Sequence, residues 1–305
     1  MAIAATYEPV ATYTIPSNST ASYTFNSIPQ TYTDLVVVVN GRSGSSGQNM
    51  QYQFNGNSSA IYSLTFVRWN GTSIDTTKVA SQTKPQAESF TTIATATDTY
   101  SQYKMHIMNY TNSSYYKAML VEAGQGGFGA DITAHLMQST SPVTLASASA
   151  TVTFSAISQS YTDLKLIISA RASNAGGYAN TTINFNGSGG TYANKLFYGV
   201  GTGNSATVGT VFPTAAFIGD IPASGVYANT FSNQEIYVTN YKDTNTYKGY
   251  YTSSAHEDNQ AAAFLEADSG VWLSTAAITS MVISCGNSGQ FVTNSMFSLY
   301  GINKS

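Results

Sequence analysis

The stretch Phe25-Asn26-Ser27-Ile28-Pro29-Gln30-Thr31-Tyr32-Thr33-Asp34-Leu35 returns as Phe154-Ser155-Ala156-Ile157-Ser158-Gln159-Ser160-Tyr161-Thr162-Asp163-Leu164. Each time an aromatic strand end enters a polar turn, and Tyr-Thr-Asp-Leu leads out into an apolar run. Tyr32 and Tyr161 are 129 residues apart, as are Phe25 and Phe154, and Arg42 and Arg171. The chain therefore reads as two tandem copies of one β unit, and the repeat sets the fold before any single element does.

The chemistry of the stretch is local. Thr33 and Asp34 carry short side chains that bond nearby backbone and hold a turn. Leu35-Val36-Val37-Val38-Val39 then reads as a strand. In the second copy Leu164, Leu166, Ile168 and Ala170 alternate with Lys165, Ser169 and Arg171, the period of a half-buried strand. Arg42 and Arg171 read first as solvated strand ends and second as functional cations.

The copies stay in step beyond this stretch. Phe54-Asn55-Gly56 answers Phe185-Asn186-Gly187, a turn signal, now offset by 131 residues. Asn109-Tyr110 answers Asn240-Tyr241, and Tyr116-Lys117 answers Tyr247-Lys248, at the same offset. Between these markers, Ile61–Trp69 alternates as a strand, Asn70-Gly71 is a turn, and residues 72–90 read as a long polar loop. Residues 1–21, with Pro9 and Pro16, read as an extended arm that forms at most an edge strand. Copy one runs to about Gly124, while copy two adds Val271–Ser284 and Met296–Ile302. Copy one is therefore expected to have its sheet completed by the arm or by another subunit. Ala261–Ala267 has room for one or two helical turns. The resulting expectation is all-β, with two tandem β-sandwich domains of jelly-roll-like type from an internal duplication. The arm spans 1–21, the first sandwich 22–140 and the second 141–305.

Composition bounds the function. Charged residues make up 9% of the chain, where about 25% is usual. The surface is therefore built from hydroxyl, amide and Tyr side chains, of which Tyr alone numbers 22. A net charge of −3 offers no basic stripe for nucleic acid. The single cysteine, Cys285, rules out an internal disulfide framework and a cysteine zinc site, and it reads as a buried small residue. No run reaches the roughly 18 apolar residues of a membrane helix. The start of the chain lacks the basic and apolar regions of a secretion signal. The expectation is synthesis in a cytosol, with no membrane insertion and no cofactor. The glycine-rich stretch Gly41–Gln48 lacks the Gly-Lys-Ser/Thr ending of a phosphate-binding loop.

Tyr7-Glu8-Pro9-Val10-Ala11, Phe-x-x-Ile-x-Gln-x-Tyr-Thr-Asp-Leu, Phe-Asn-Gly, Asn-Tyr, Trp272-x-x-Thr-Ala-Ala-Ile-Thr-Ser280 and Phe297-Ser-Leu-Tyr-Gly-Ile302 form a set. As a set they resemble a family of virion structural proteins of tailed bacteriophages. The resemblance covers nearly all of copy two, and copy one to about Gly124. It implies a non-enzymatic tail fibre or appendage component, or alternatively a capsid decoration protein. It also implies a virion location, other virion proteins as partners and, by analogy with phage appendages, a homotrimer. It carries over no catalytic residue.

Two other readings rest on residues. A glycan-binding adhesin would stack sugars on exposed aromatics. Trp69, Tyr62 and Tyr115 are the candidate ligand or receptor contacts, with a host surface glycan as partner, and Trp272 reads as core. A polysaccharide depolymerase needs two carboxylates about 5 to 9.5 Å apart. Its candidates are His256-Glu257-Asp258 with Glu266 and Asp268, a cluster that reads first as a solvated loop, second as a calcium or other divalent-ion loop and third as catalytic. His106, His135 and His256 have no spacing that makes a metal or nucleophile site.

Overall fold

The computed structural model describes residues 7–15, 22–45, 48–69, 74–89, 101–113, 117, 119–125, 131–137, 141–187, 191–200, 203–212, 214–256 and 263–302. These residues are all-β, in antiparallel sheets. The chain divides into two compact units. One is Met1–Tyr62, Ala80–Ser113 and Met119–Gln138, and the other is Ser63–Val79, Ser114–Ala118 and Ser139–Ser305.

The strands up to Met137 are β1 (Tyr7–Thr14), β2 (Asp34–Gly41), β3 (Asn49–Gln51), β4 (Tyr62–Trp69), β5 (Ile74–Gln82), β6 (Gln86–Ser89), β7 (Ser101–Ile107), β8 (Met119–Gln125) and β9 (Asp131–Met137). One sheet has the order β1-β9-β2-β7-β8, while β3–β6 and β4–β5 each form a two-stranded sheet. Leu35, Val37 and Val39 of β2 meet Met50, Tyr103, Met105 and Ile107 in one core.

After residue 140 come β10 (Ser141–Thr144), β11 (Thr151–Phe154), β12 (Asp163–Ser169), β13 (Tyr178–Phe185), β14 (Tyr192–Val200), β15 (Gly203–Phe212), β16 (Ala216–Pro222), β17 (Asn233–Val238), β18 (Lys248–His256), β19 (Phe264–Trp272), β20 (Met281–Cys285) and β21 (Met296–Ile302). The sheets run β10-β21-β12-β17-β18-β19-β14-β15 and β11-β20-β13-β16. With the β14–β15 and β18–β19 additions set aside, eight strands remain. Numbered in chain order they pair as 1-8-3-6 and 2-7-4-5, the arrangement of a jelly roll. Leu164, Leu166 and Ile168 from one sheet meet Ile183, Phe185, Ile218 and Ile283 from the other in a single core.

The two units share internal geometry at matching positions. Leu35 pairs with Ile107 and Leu164 with Val238. Ser27 and Ala156 both have positive φ, as do Asn55 and Asn186, and Asn109 and Asn240. In the first unit β1, β9, β2 and β7 take the lanes of β10, β21, β12 and β17, and β8 takes that of β18.

Several expectations change here. Copy one is not left without its closing strand. β9 fills that lane, pairing Asp34–Val39 on one side and the arm strand β1 on the other. The stretch 72–90 is not a long loop, because it holds β5 and β6. Phe264–Trp272 is a strand rather than a continuation of helical turns. β12 is buried on both faces instead of one. Its Lys165 makes a buried ion pair with Glu235 at 2.8 Å. Arg171 is not a solvated strand end. Its guanidinium is buried and donates to the carbonyls of Val226, Tyr227 and Thr230 and to Thr230 Oγ1, tying down that loop.

Tyr161 of the organising stretch packs on the glycine of the closing strand. A Cβ at Gly301 would lie 2.2 Å from the Tyr161 ring. Gly301→Ala is expected to displace that ring and cost about 2 kcal/mol, read as a lower urea midpoint with unchanged m.

Candidate functional site

The aspartate of the repeated stretch turns inward in both units. Asp163 is fully buried. Its Oδ1 accepts the Asn240 N–H at 2.8 Å and its Oδ2 accepts the Tyr237 hydroxyl at 2.7 Å. Asn240 has φ 48°, a conformation its short amide side chain tolerates. The carboxylate thus pins the start of the central strand to the corner after β17. The first unit repeats the device: Asp34 Oδ1 accepts the Asn109 N–H at 2.8 Å, and His106 Nε2 lies 3.7 Å from Oδ2 where the second unit has Tyr237. Tyr110 and Tyr241 each donate their hydroxyl to the turn, at the Pro29 and Ser158 carbonyls. Burial raises both phenol pKa values. Gln30 and Gln159 each donate to the carbonyl two residues earlier, at 2.9 Å. The paired motif is thereby explained as turn and corner chemistry.

A second constellation lies in the core of the second unit, on residues that read from sequence as a solvated cluster. Glu266 and Asp268 sit two apart on β19 and are both buried. Glu266 Oε2 accepts the Asp220 N–H at 2.7 Å from β16. Around this pair, Gln234 Nε2 donates to Thr181 Oγ1 at 2.8 Å, and Thr181 Oγ1 donates to the Gly219 carbonyl at 2.6 Å. Burial pushes the Asp220 carboxyl up to about 6, and pushes Glu266 well above the usual range, with the neighbouring Asp220 adding to the rise. Asp268 is raised to about 6 by burial, against the Asn194 amide that donates to its Oδ2 at 2.9 Å. Alternation at 264, 266 and 268 is the sequence signal for this face of the strand. The partner Asp220 lies on another sheet and gives none.

The other candidates fall as follows. The Tyr62 hydroxyl accepts the Phe54 N–H and donates to the Asn57 carbonyl, both at 3.1 Å, which ties it to the Phe-Asn-Gly turn. Tyr192 accepts the Phe185 N–H in the same way, at 2.8 Å. Trp69 ends β4, and its side chain lies outside the described residues, as do Tyr115, Glu257 and Asp258 entirely. Trp272 is buried, as expected of a core residue, against Phe185 and Tyr192. Among the described residues the exposed large side chains are mostly tyrosines, including Tyr23, Tyr227 and Tyr247. Cys285 is partly buried, and burial raises its thiol to about 11. No helix is long and apolar enough to cross a membrane among the described residues. No group of three or more His, Cys, Asp and Glu side chains suited to a metal ion occurs among them.

No family model matches the chain, and no curated protein matches it. Among solved structures, that of the infectious bursal disease virus Gx strain aligns at a TM-score of 0.09 and 11% identity, over 94% of this chain and 61% of that chain. A likeness at that level carries nothing about fold or function. By its own strands the chain is an all-β protein of sandwich architecture.

Proposed function

We propose that the chain is a non-enzymatic structural component of a bacteriophage virion, a tail fibre or appendage subunit. The observation that carries this reading is the use to which the repeated motif is put. In both units its Asp holds a strand to a corner, while its Gln and the partner tyrosine hold the turn itself. The set of motifs that resembles phage structural proteins is thus one of building rather than of chemistry. The neutral, Tyr-rich surface supports the same reading, since such side chains give flat contact area with little desolvation of charge.

The test is location. Gold-labelled antibody against this chain, with averaging of particle images, is expected to mark the tail or its fibres on washed particles. Label at regular sites over the head would replace the appendage with a capsid decoration protein. No label on washed particles would overturn the structural reading.

A further inference from the structure

Among the described residues, the first unit lacks one lane of the jelly roll while keeping the groups that line it. In the second unit β20 lies between β11 and β13, with Phe154 and Phe185 each opposite Met281. The chain between β18 and β21, residues 257–295, supplies both β19 and β20. Between β8 and β9 only residues 126–130 are available, too few for two strands. The consequence appears on both sides of the lane. Ser22–Phe25, the counterpart of β11, is not a strand. Tyr23 is 41% exposed where its counterpart Val152 is 5%. Phe54 is half-buried where Phe185 is fully buried.

The polar end of the lane is also retained. In the second unit, Asn186 Oδ1 accepts the Thr279 and Ser280 N–H groups at 2.8 and 3.2 Å, and its Nδ2 donates to the Ala277 carbonyl at 2.8 Å. Gln159 donates to the Ile278 carbonyl at 2.9 Å, and the Ile157 N–H donates to the Thr279 carbonyl at 2.9 Å. Asn55, Gln30 and Ile28 stand at the same places in the first unit. Asn55 keeps the positive φ of Asn186, at 52°. No described segment of the first unit answers Ala277–Ser280.

We propose that the first unit accepts an extended strand from another polypeptide in the lane between Ser22–Phe25 and β3, with Asn55 and Gln30 holding its leading turn. The chemistry of the donor follows from the lane. It carries two large aliphatic side chains two residues apart, as Met281 and Ile283 are, to meet Phe25 and Tyr23. A short polar turn that Asn55 can hold precedes them. A second copy's β20 does not fit this role, since it is already paired on both edges. Strand addition of this kind draws affinity from main-chain hydrogen bonds and selectivity from alternate side chains. The inference goes beyond a virion role and does not depend on one.

The probe is a synthetic peptide of residues 277–285 with Cys285→Ser, added to the full chain. Saturable binding is expected, with hydrogen-exchange protection gained at residues 22–25 and 49–51. Asn55→Gly keeps the backbone conformation and removes the amide, and is expected to weaken binding at least tenfold, the loss of about 1.4 kcal/mol. Tyr23→Lys is expected to do the same from the exposed side of the lane. Both variants should melt as the parent does within a few degrees. Absence of binding, or binding unaffected by either variant, would overturn the proposal. Self-association of the chain alone that the peptide disperses would overturn the heterologous donor and make a second copy the occupant.

Discussion

Asp163→Ala is expected to lower the unfolding free energy of the second unit by about 4 kcal/mol. The carboxylate makes two hydrogen bonds in full burial, each of a kind worth about 1.5–3 kcal/mol. Its removal takes that acceptor from both the Asn240 N–H and the Tyr237 hydroxyl. The corner after β17 then loses its tie to the central strand. Asp34→Ala removes the corresponding bond to Asn109 and should cost about 2 kcal/mol, since His106 stands farther off than the tyrosine it replaces. Urea unfolding followed by hydrogen exchange separates the two units. Equal and small effects, below about 1 kcal/mol, would mean the corners are held by packing instead.

The second large effect is a stability that falls as pH rises. Asp220 and Glu266 have folded pKa values above their unfolded ones, so the folded state binds more protons than the unfolded state. The contribution is complete below about pH 4 and is lost as pH climbs through the Asp220 value of about 6. Glu266 extends the loss upward. The Asp220 shift alone corresponds to about 3 kcal/mol. The uncharged partners around the pair, Thr181, Gln234 and Ser254, keep hydrogen bonds in either state. Asp268, on the same strand and also raised to about 6, adds in the same direction. The double change Asp220→Asn with Glu266→Gln should flatten the slope between pH 5 and 8, measured as urea midpoints. A slope unchanged in that variant would place its origin elsewhere.

The sequence is most legible where side chains dictate backbone. Asn55, Asn109, Asn186 and Asn240 occupy positive-φ corners that few residues tolerate, so their spacing exposes the correspondence of the two units. The β-branched run after Asp34 announces its strand, and the sandwich class follows. Backbone pairing leaves weaker traces. β9 shares almost no residues with β21, yet fills the same lane, because ladder hydrogen bonds ask little of side-chain identity. Arg171 reads as a strand-end cation, since the carbonyls it holds lie more than fifty residues further along the chain. Glu266 and Asp268 read as solvated because their partners Asp220 and Asn194 are distant in sequence and arrive only with the fold. Of the candidate contacts, Tyr62 has a structural reason in its place just after the Phe-Asn-Gly turn, the same place that Tyr192 holds.

The closing strands have a consequence for folding order. β9 lies between β1 and β2, and β21 between β10 and β12, so an interior lane of each main sheet is filled by its last strand. The first strand of each unit has no ladder partner until that last strand arrives. Contacts that join such separated segments must meet the full loop-closure entropy before any ladder bond offsets it. During synthesis neither unit can close until its final strand has left the ribosome. Until then β12 and β2 each present a bare hydrogen-bonding edge. Folding on the millisecond-to-second scale of non-local β proteins follows, with a window in which a neighbouring nascent chain can occupy the waiting lane.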